Sequence, residues 1–72
     1  MNENVENTLK KYRKQRGLTQ EELAKALGVS RQTIISIERG KYIPSLPLAL
    51  KMARYFACST DDMFHIEEDD KT

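Results

Sequence analysis

The chain has 72 residues, one cysteine, no tryptophan, two phenylalanines and a formal charge of +1; a length of this order supports one small core, which excludes a two-domain reading. Cys58 has no partner for an intrachain disulfide or a cysteine-based zinc site, and it suits a reducing, cytoplasmic setting. No apolar run nears the roughly 20 residues of a bilayer span, Met-Asn-Glu-Asn lacks the basic and apolar regions of a signal peptide, so no membrane is expected, and +1 at face value argues against a nucleic-acid binder.

In chain order, a first helix is expected to begin within Asn4 to Asn7 and to run to about Arg16, with Val5, Leu9 and Tyr12 as its apolar stripe. Gly17 suits the left-handed position that ends it. Thr19-Gln20-Glu21-Glu22 has capping-box form, with the Thr19 hydroxyl accepting from the N3 amide and Glu22 reaching back. The second helix that starts there buries Leu23, Ala24 and Leu27 and stops at Gly28. Ser30 caps a third, Arg31 to about Arg39, with Ile34, Ile37 and Glu38 on one side and Gly40 as terminator.

Lys41-Tyr42-Ile43-Pro44 cannot carry a helix into the proline and reads as a loop. Ser45 caps a fourth helix, which tolerates Pro47 in its first turn. Leu46, Leu50, Ala53 and Phe56 predict its inward stripe, with Met52 beside it. Ser59-Thr60-Asp61-Asp62 caps a short fifth helix through about Phe64, and His65-Ile66-Glu67 is either a short strand or the start of a frayed tail. The expected fold class is all-α, a compact five-helix bundle over residues 1–66, with or without a short C-terminal strand, followed by an acidic tail over 67–72.

The second and third helices, joined by Gly28-Val29-Ser30, have the spacing of a DNA-binding helix-turn-helix over about residues 20–39. Its physical demands are met in place: a small residue at the helix crossing (Ala24), a glycine at the sharp turn (Gly28), and apolar residues beneath (Val29, Ile34, Ile37). The charge then reads differently. Leu9 to Phe56 carries eleven basic against three acidic residues, a net +8, whereas the flanks carry eight acidic residues against Lys71, a net −7.

With Leu9-Lys-Lys-Tyr-Arg13, Gly17-Leu-Thr-Gln-Glu-Glu-Leu-Ala24, Leu27-Gly-Val-Ser-Arg-Gln-Thr-Ile34, Ile37-Glu-Arg-Gly-Lys41 and Pro44-Ser-Leu46, the chain resembles helix-turn-helix regulators of the Cro and lambda-repressor type, XRE-like, over about residues 5 to 64. Among them it is most similar to short stand-alone members ending in an aromatic, acidic segment, here Met63-Phe-His-Ile-Glu-Glu68. The resemblance implies a five-helix bundle that binds operator DNA as a dimer. It further implies an internal ion pair between Arg13 and Glu38, and a glutamine, Gln20, that clamps the DNA backbone and braces the recognition helix.

On the third helix, taken at about 100° per residue with Ile34 at zero, Gln32, Ser36 and Arg39 fall opposite the buried side and Ile35 at the boundary. Arg31, Gln32 and Thr33 occupy the first turn, which projects furthest into a groove; Arg31 suits a guanine edge or a phosphate, and Gln32 suits adenine. Ile35 is either a core edge or a contact for a thymine methyl. Gln20 presents its amide to a phosphate at a helix N-terminus, and Arg39, Lys41 and Tyr42 reach the same backbone, although Tyr42 can instead stack on the bundle. Met63, Phe64 and Ile66 are the expected homodimer surface, with strands pairing across the two-fold axis as one route.

Other chemistry is poorly supported. Asp61, Asp62 and His65 have helical spacing for a metal, but no further histidine or cysteine completes a site, and Cys58 with His65 lacks an orienting group or oxyanion site. No cofactor or small-molecule ligand is expected, and no enzyme. The leading expectation is a repressor that binds double-stranded DNA as a homodimer; the alternative is a protein-interaction module or antitoxin-like partner using the same bundle.

Overall fold

Four helices begin on a hydroxyl that accepts a hydrogen bond from an amide of the first turn: Thr19 from Glu22, Ser30 from Thr33, Ser45 from Leu48 and Ser59 from Asp62. These caps place α2 (Gln20–Leu27), α3 (Arg31–Glu38), α4 (Leu46–Tyr55) and α5 (Thr60–Met63) in the computed structural model, which describes residues 5–66. The boundary expected at residue 66 and the tail beyond it lie at and outside the described residues.

The helices also end alike. After α1 (Leu9–Gln15), the amides of Gly17 and Leu18 donate to the carbonyls of Lys14 and Arg13. The same paired reach-back closes α2 at Gly28, α3 at Gly40 and α4 at Ala57, in each case with φ positive. This is the motif that lets a chain leave a helix through one left-handed residue. At Gly28, with φ +75°, it makes the sharp turn between α2 and α3. Lys51 reinforces that turn, its Nζ donating to the Leu27 carbonyl at 2.9 Å.

The first helix starts later than the sequence suggests. Val5–Asn7 is a strand, β1, paired antiparallel with β2 (Phe64–Ile66) in the register Val5–Ile66, Glu6–His65 and Asn7–Phe64. Asn7 prevents a helix from running through it, because its Oδ1 accepts from the Leu9 amide at 3.1 Å while its Nδ2 donates to the Ile37 carbonyl at 2.9 Å. The Thr8 amide is likewise taken by the Met63 carbonyl at 2.9 Å. Val5 therefore belongs to a strand and not to a helical stripe. The C-terminal alternatives resolve as a strand over Phe64–Ile66, whose pairing partner lies within the same chain.

The fold is thus a compact all-α bundle of five helices with a strand pair joining its ends. Leu9, Leu23, Ala24, Leu27, Ile34, Ile37, Met52, Phe56 and Met63 form the core, with Ala53 also buried. Ala53 and Phe56 of the expected α4 stripe are buried, with Met52 beside them and Leu48 packed against the core, but Leu46 and Leu50 are exposed; the spacing of apolar residues marks a stripe without fixing where the packed side ends. Met63 is fully buried in its own bundle and offers no surface to a partner, because α5 packs against α4 and the Met63 carbonyl is held by Thr8.

Candidate nucleic-acid interface

The third helix is positioned by a buried polar network. Arg13 Nε donates to Glu38 Oε2 at 2.7 Å and its Nη2 to Oε1 at 3.1 Å, while Nη1 donates to the Leu18 carbonyl at 2.9 Å. Gln20 Nε2 donates to the same Glu38 Oε1 at 3.1 Å. Both charged side chains are nearly enclosed, at 10% and 4% exposure. The hydrogen bonds to Glu38 push the Arg13 pKa up against the opposing effect of burial, so the guanidinium stays charged. One carboxylate at the C-terminal end of α3 is thereby tied to α1 and to the N-terminus of α2, and α3 cannot roll without breaking these bonds.

With Ile34, Ile37 and Glu38 turned inward, the other side of α3 faces out. Gln32 is exposed and its Nε2 donates to Ser36 Oγ at 3.3 Å, which lays it along the helix. The hydroxyls of Ser30 and Thr33 share a hydrogen bond of 2.9 Å, so Thr33 is held by the cap. Ser30, Gln32, Thr33 and Ser36 line a shallow cleft together with Lys41 and Tyr42 from the following loop. Tyr42 is 46% exposed, and the aromatic contacts among the described residues involve Tyr12, Tyr55 and Phe56 instead. Ile35 is half-buried at the edge of this face.

Arg31 lies elsewhere. It lines a second cleft with Gln20, Thr19, Lys10 and Lys14. Lys10 and Lys14, one turn apart on α1 and both exposed, enter the candidate interface only through the structure. The signal present in the sequence was their i, i+4 spacing around Arg13; what could not be read was that α1 lies beside the start of α2. Arg39 lies on a third surface, beside Gly40, Ile43 and the first strand. The expected phosphate contacts are therefore split: Gln20 joins Arg31, Lys41 and Tyr42 flank Gln32, and Arg39 stands apart. Phe64 is half-buried and Ile66 exposed, away from both clefts that hold α3 side chains.

Among the described residues, no helix is long and apolar enough to cross a membrane, and no group of three or more histidine, cysteine or acidic side chains could hold a metal ion.

Comparison with known proteins agrees with this geometry. The helix-turn-helix family model HTH_3 matches residues 9–63. An uncharacterized HTH-type transcriptional regulator of Methanocaldococcus jannaschii is 58% identical over 66 residues, covering 92% of this chain and all of that protein. Among solved structures, the SOS-response transcriptional repressor LexA from Eubacterium rectale is 35% identical with a TM-score of 0.72, over 75% of this chain and 57% of that one. The restriction-modification controller protein C.AhdI from Aeromonas hydrophila is 33% identical with a TM-score of 0.67, over 75% of this chain and 78% of that one.

Proposed function

The chain belongs to the helix-turn-helix (HTH_3) family of DNA-binding transcriptional regulators, and from that membership we propose that it acts as a homodimeric repressor on an inverted-repeat operator. The carrying observation is the division of α3 into two sides. Ile34, Ile37 and Glu38 are locked into the bundle, while Gln32 and Ser36 face outward beside Lys41 and Tyr42. In a major groove, Gln32 suits the N6 and N7 edge of adenine, and Ser36 a neighbouring base edge. Thr33 and Ile35 offer methyl groups to thymine at the margin of the same face.

Lys41 and Tyr42 would hold one phosphate strand, with Arg39 as a further backbone contact. Arg31 shares its cleft with Gln20, Lys10 and Lys14, which supports a phosphate role for it over a guanine contact. The N-terminus of α2, with Gln20 as its first residue, adds its dipole to that cleft. Because a single helix reads only a few base pairs, specificity calls for two recognition helices in successive major grooves, about 34 Å apart. Occupying a promoter in this way blocks it without any effector domain.

Selection of bound sites from random duplex DNA tests the reading. The expected product is an inverted repeat whose half-site centres lie one helical turn or a multiple of it apart; recovered sites without symmetry, or no enrichment, would contradict it.

A further inference from the structure

Helix α4 carries two leucines beyond the edge of its buried side. Leu48, Met52 and Phe56 pack into the bundle. Leu46 and Leu50 lie about 160° and 200° round the helix from Leu48 at about 100° per residue, and they are 69% and 52% exposed. Ile43, 54% exposed, and Ile66, 60% exposed, stand beside Leu46 in a groove of about 360 Å³ floored by Pro44, Ala49 and Phe64. Three large aliphatic side chains in one groove, with Leu50 one helical turn on from Leu46 and each of the four more than half exposed, mark a protein contact.

Charge and continuity identify what covers it. No lysine or arginine lines the groove, and its ionisable side chains are Asp61 and His65. A second copy therefore meets no opposing cations, and each copy supplies one carboxylate and one imidazole that can face each other across a two-fold axis. The groove also adjoins the DNA-reading face. Lys41 and Tyr42 line the cleft beside Gln32 and Ser36, and the next two residues, Ile43 and Pro44, line the groove.

We propose that this face seats a second copy of the chain, in a symmetric contact centred on Leu46 and ringed by Ile43, Leu50 and Ile66. The inference rests on the homodimer reading above and locates its interface: the loop and the start of α4 form the centre, and β2 contributes Ile66. The loop over residues 41–44 then links the contact to the recognition face, so pairing fixes one recognition helix relative to the other.

Sedimentation equilibrium of the full chain, of Leu46→Glu and Leu50→Glu, and of Lys11→Glu as a charge control tests the assignment. Wild type and Lys11→Glu are expected at twice the chain mass of 8.3 kDa. Both groove variants are expected at the chain mass, with self-association at least about thirtyfold weaker, as for loss of a central anchor, and with the circular dichroism of the folded chain retained. If either glutamate variant loses that signal, Ile43→Ser in the loop gives the same comparison. A folded groove variant that remains dimeric overturns the assignment and leaves the homodimer reading standing. A wild type found at the chain mass in solution, and bound as one copy to an inverted-repeat duplex, overturns both.

Discussion

Arg13 and Glu38 face each other through two parallel hydrogen bonds of 2.7 and 3.1 Å, and this pair joins the first helix to the far end of the third. Burial makes the pair costly to break, since removing one partner leaves the other charge without compensation. Glu38→Ala is expected to lower stability by about 3–5 kcal/mol and to weaken DNA binding with it. Chemical denaturation gives the first quantity, and an unchanged unfolding midpoint would show that the pair does not hold α3 in place.

Ala57 occupies the left-handed position after α4 with φ +57°, where α1, α2 and α3 use glycine. Its amide and that of Cys58 donate to the Arg54 and Ala53 carbonyls, so the turn is well formed despite its Cβ. Relief of the left-handed penalty should outweigh the added freedom of the unfolded chain, and Ala57→Gly is expected to stabilise the fold by up to about 1 kcal/mol. A lower melting temperature in the glycine variant would contradict that balance.

Lys51 caps the C-terminus of α2 from α4 through its bond to the Leu27 carbonyl. Lys51→Met keeps the aliphatic stem and removes the donor and the charge. The expected loss is about 1 kcal/mol, combining one hydrogen bond with a helix-dipole contact. Repeating the denaturation in high salt should shrink the difference if charge contributes; no difference at any salt concentration would assign the lysine to the surface alone.

Lys10 and Lys14 line the cleft with Gln20 and Arg31 and take no part in the Arg13–Glu38 network. Each alanine variant is expected to weaken binding to all duplexes alike and to reduce the magnitude of the log–log salt slope by about 1. A slope identical to wild type would remove α1 from the interface.

Four of the five helix starts were legible because serine and threonine caps act locally, and so were three of the helix ends, because glycine marks a left-handed residue. The end of α4 was hidden, since alanine at position 57 carries no such mark. The helix-turn-helix was readable from Ala24, Gly28, Val29, Ile34 and Ile37, whose spacing reflects one local packing problem. What escaped depended on contacts distant in sequence. Asn7 stops the first helix by bonding to Ile37, thirty residues away, and Val5 pairs with Ile66 across the whole chain. Leu46 and Leu50 share the expected stripe with Ala53 and Phe56 but lie outside the core, because helical periodicity reports that a stripe is apolar, not what it packs against. The net charge misled for a related reason: placement matters, and Arg31, Lys10 and Lys14 meet only in three dimensions.

Gln32, exposed on the outward side of α3, is the side chain that tests whether that face reads sequence. Affinities of wild type and Gln32→Ala should be measured at one fixed salt concentration, on the selected operator and on an unrelated duplex. The expected result is a loss of about 1–3 kcal/mol on the operator with non-specific affinity unchanged. Equal losses on both duplexes, or no loss on either, would contradict base reading by this face.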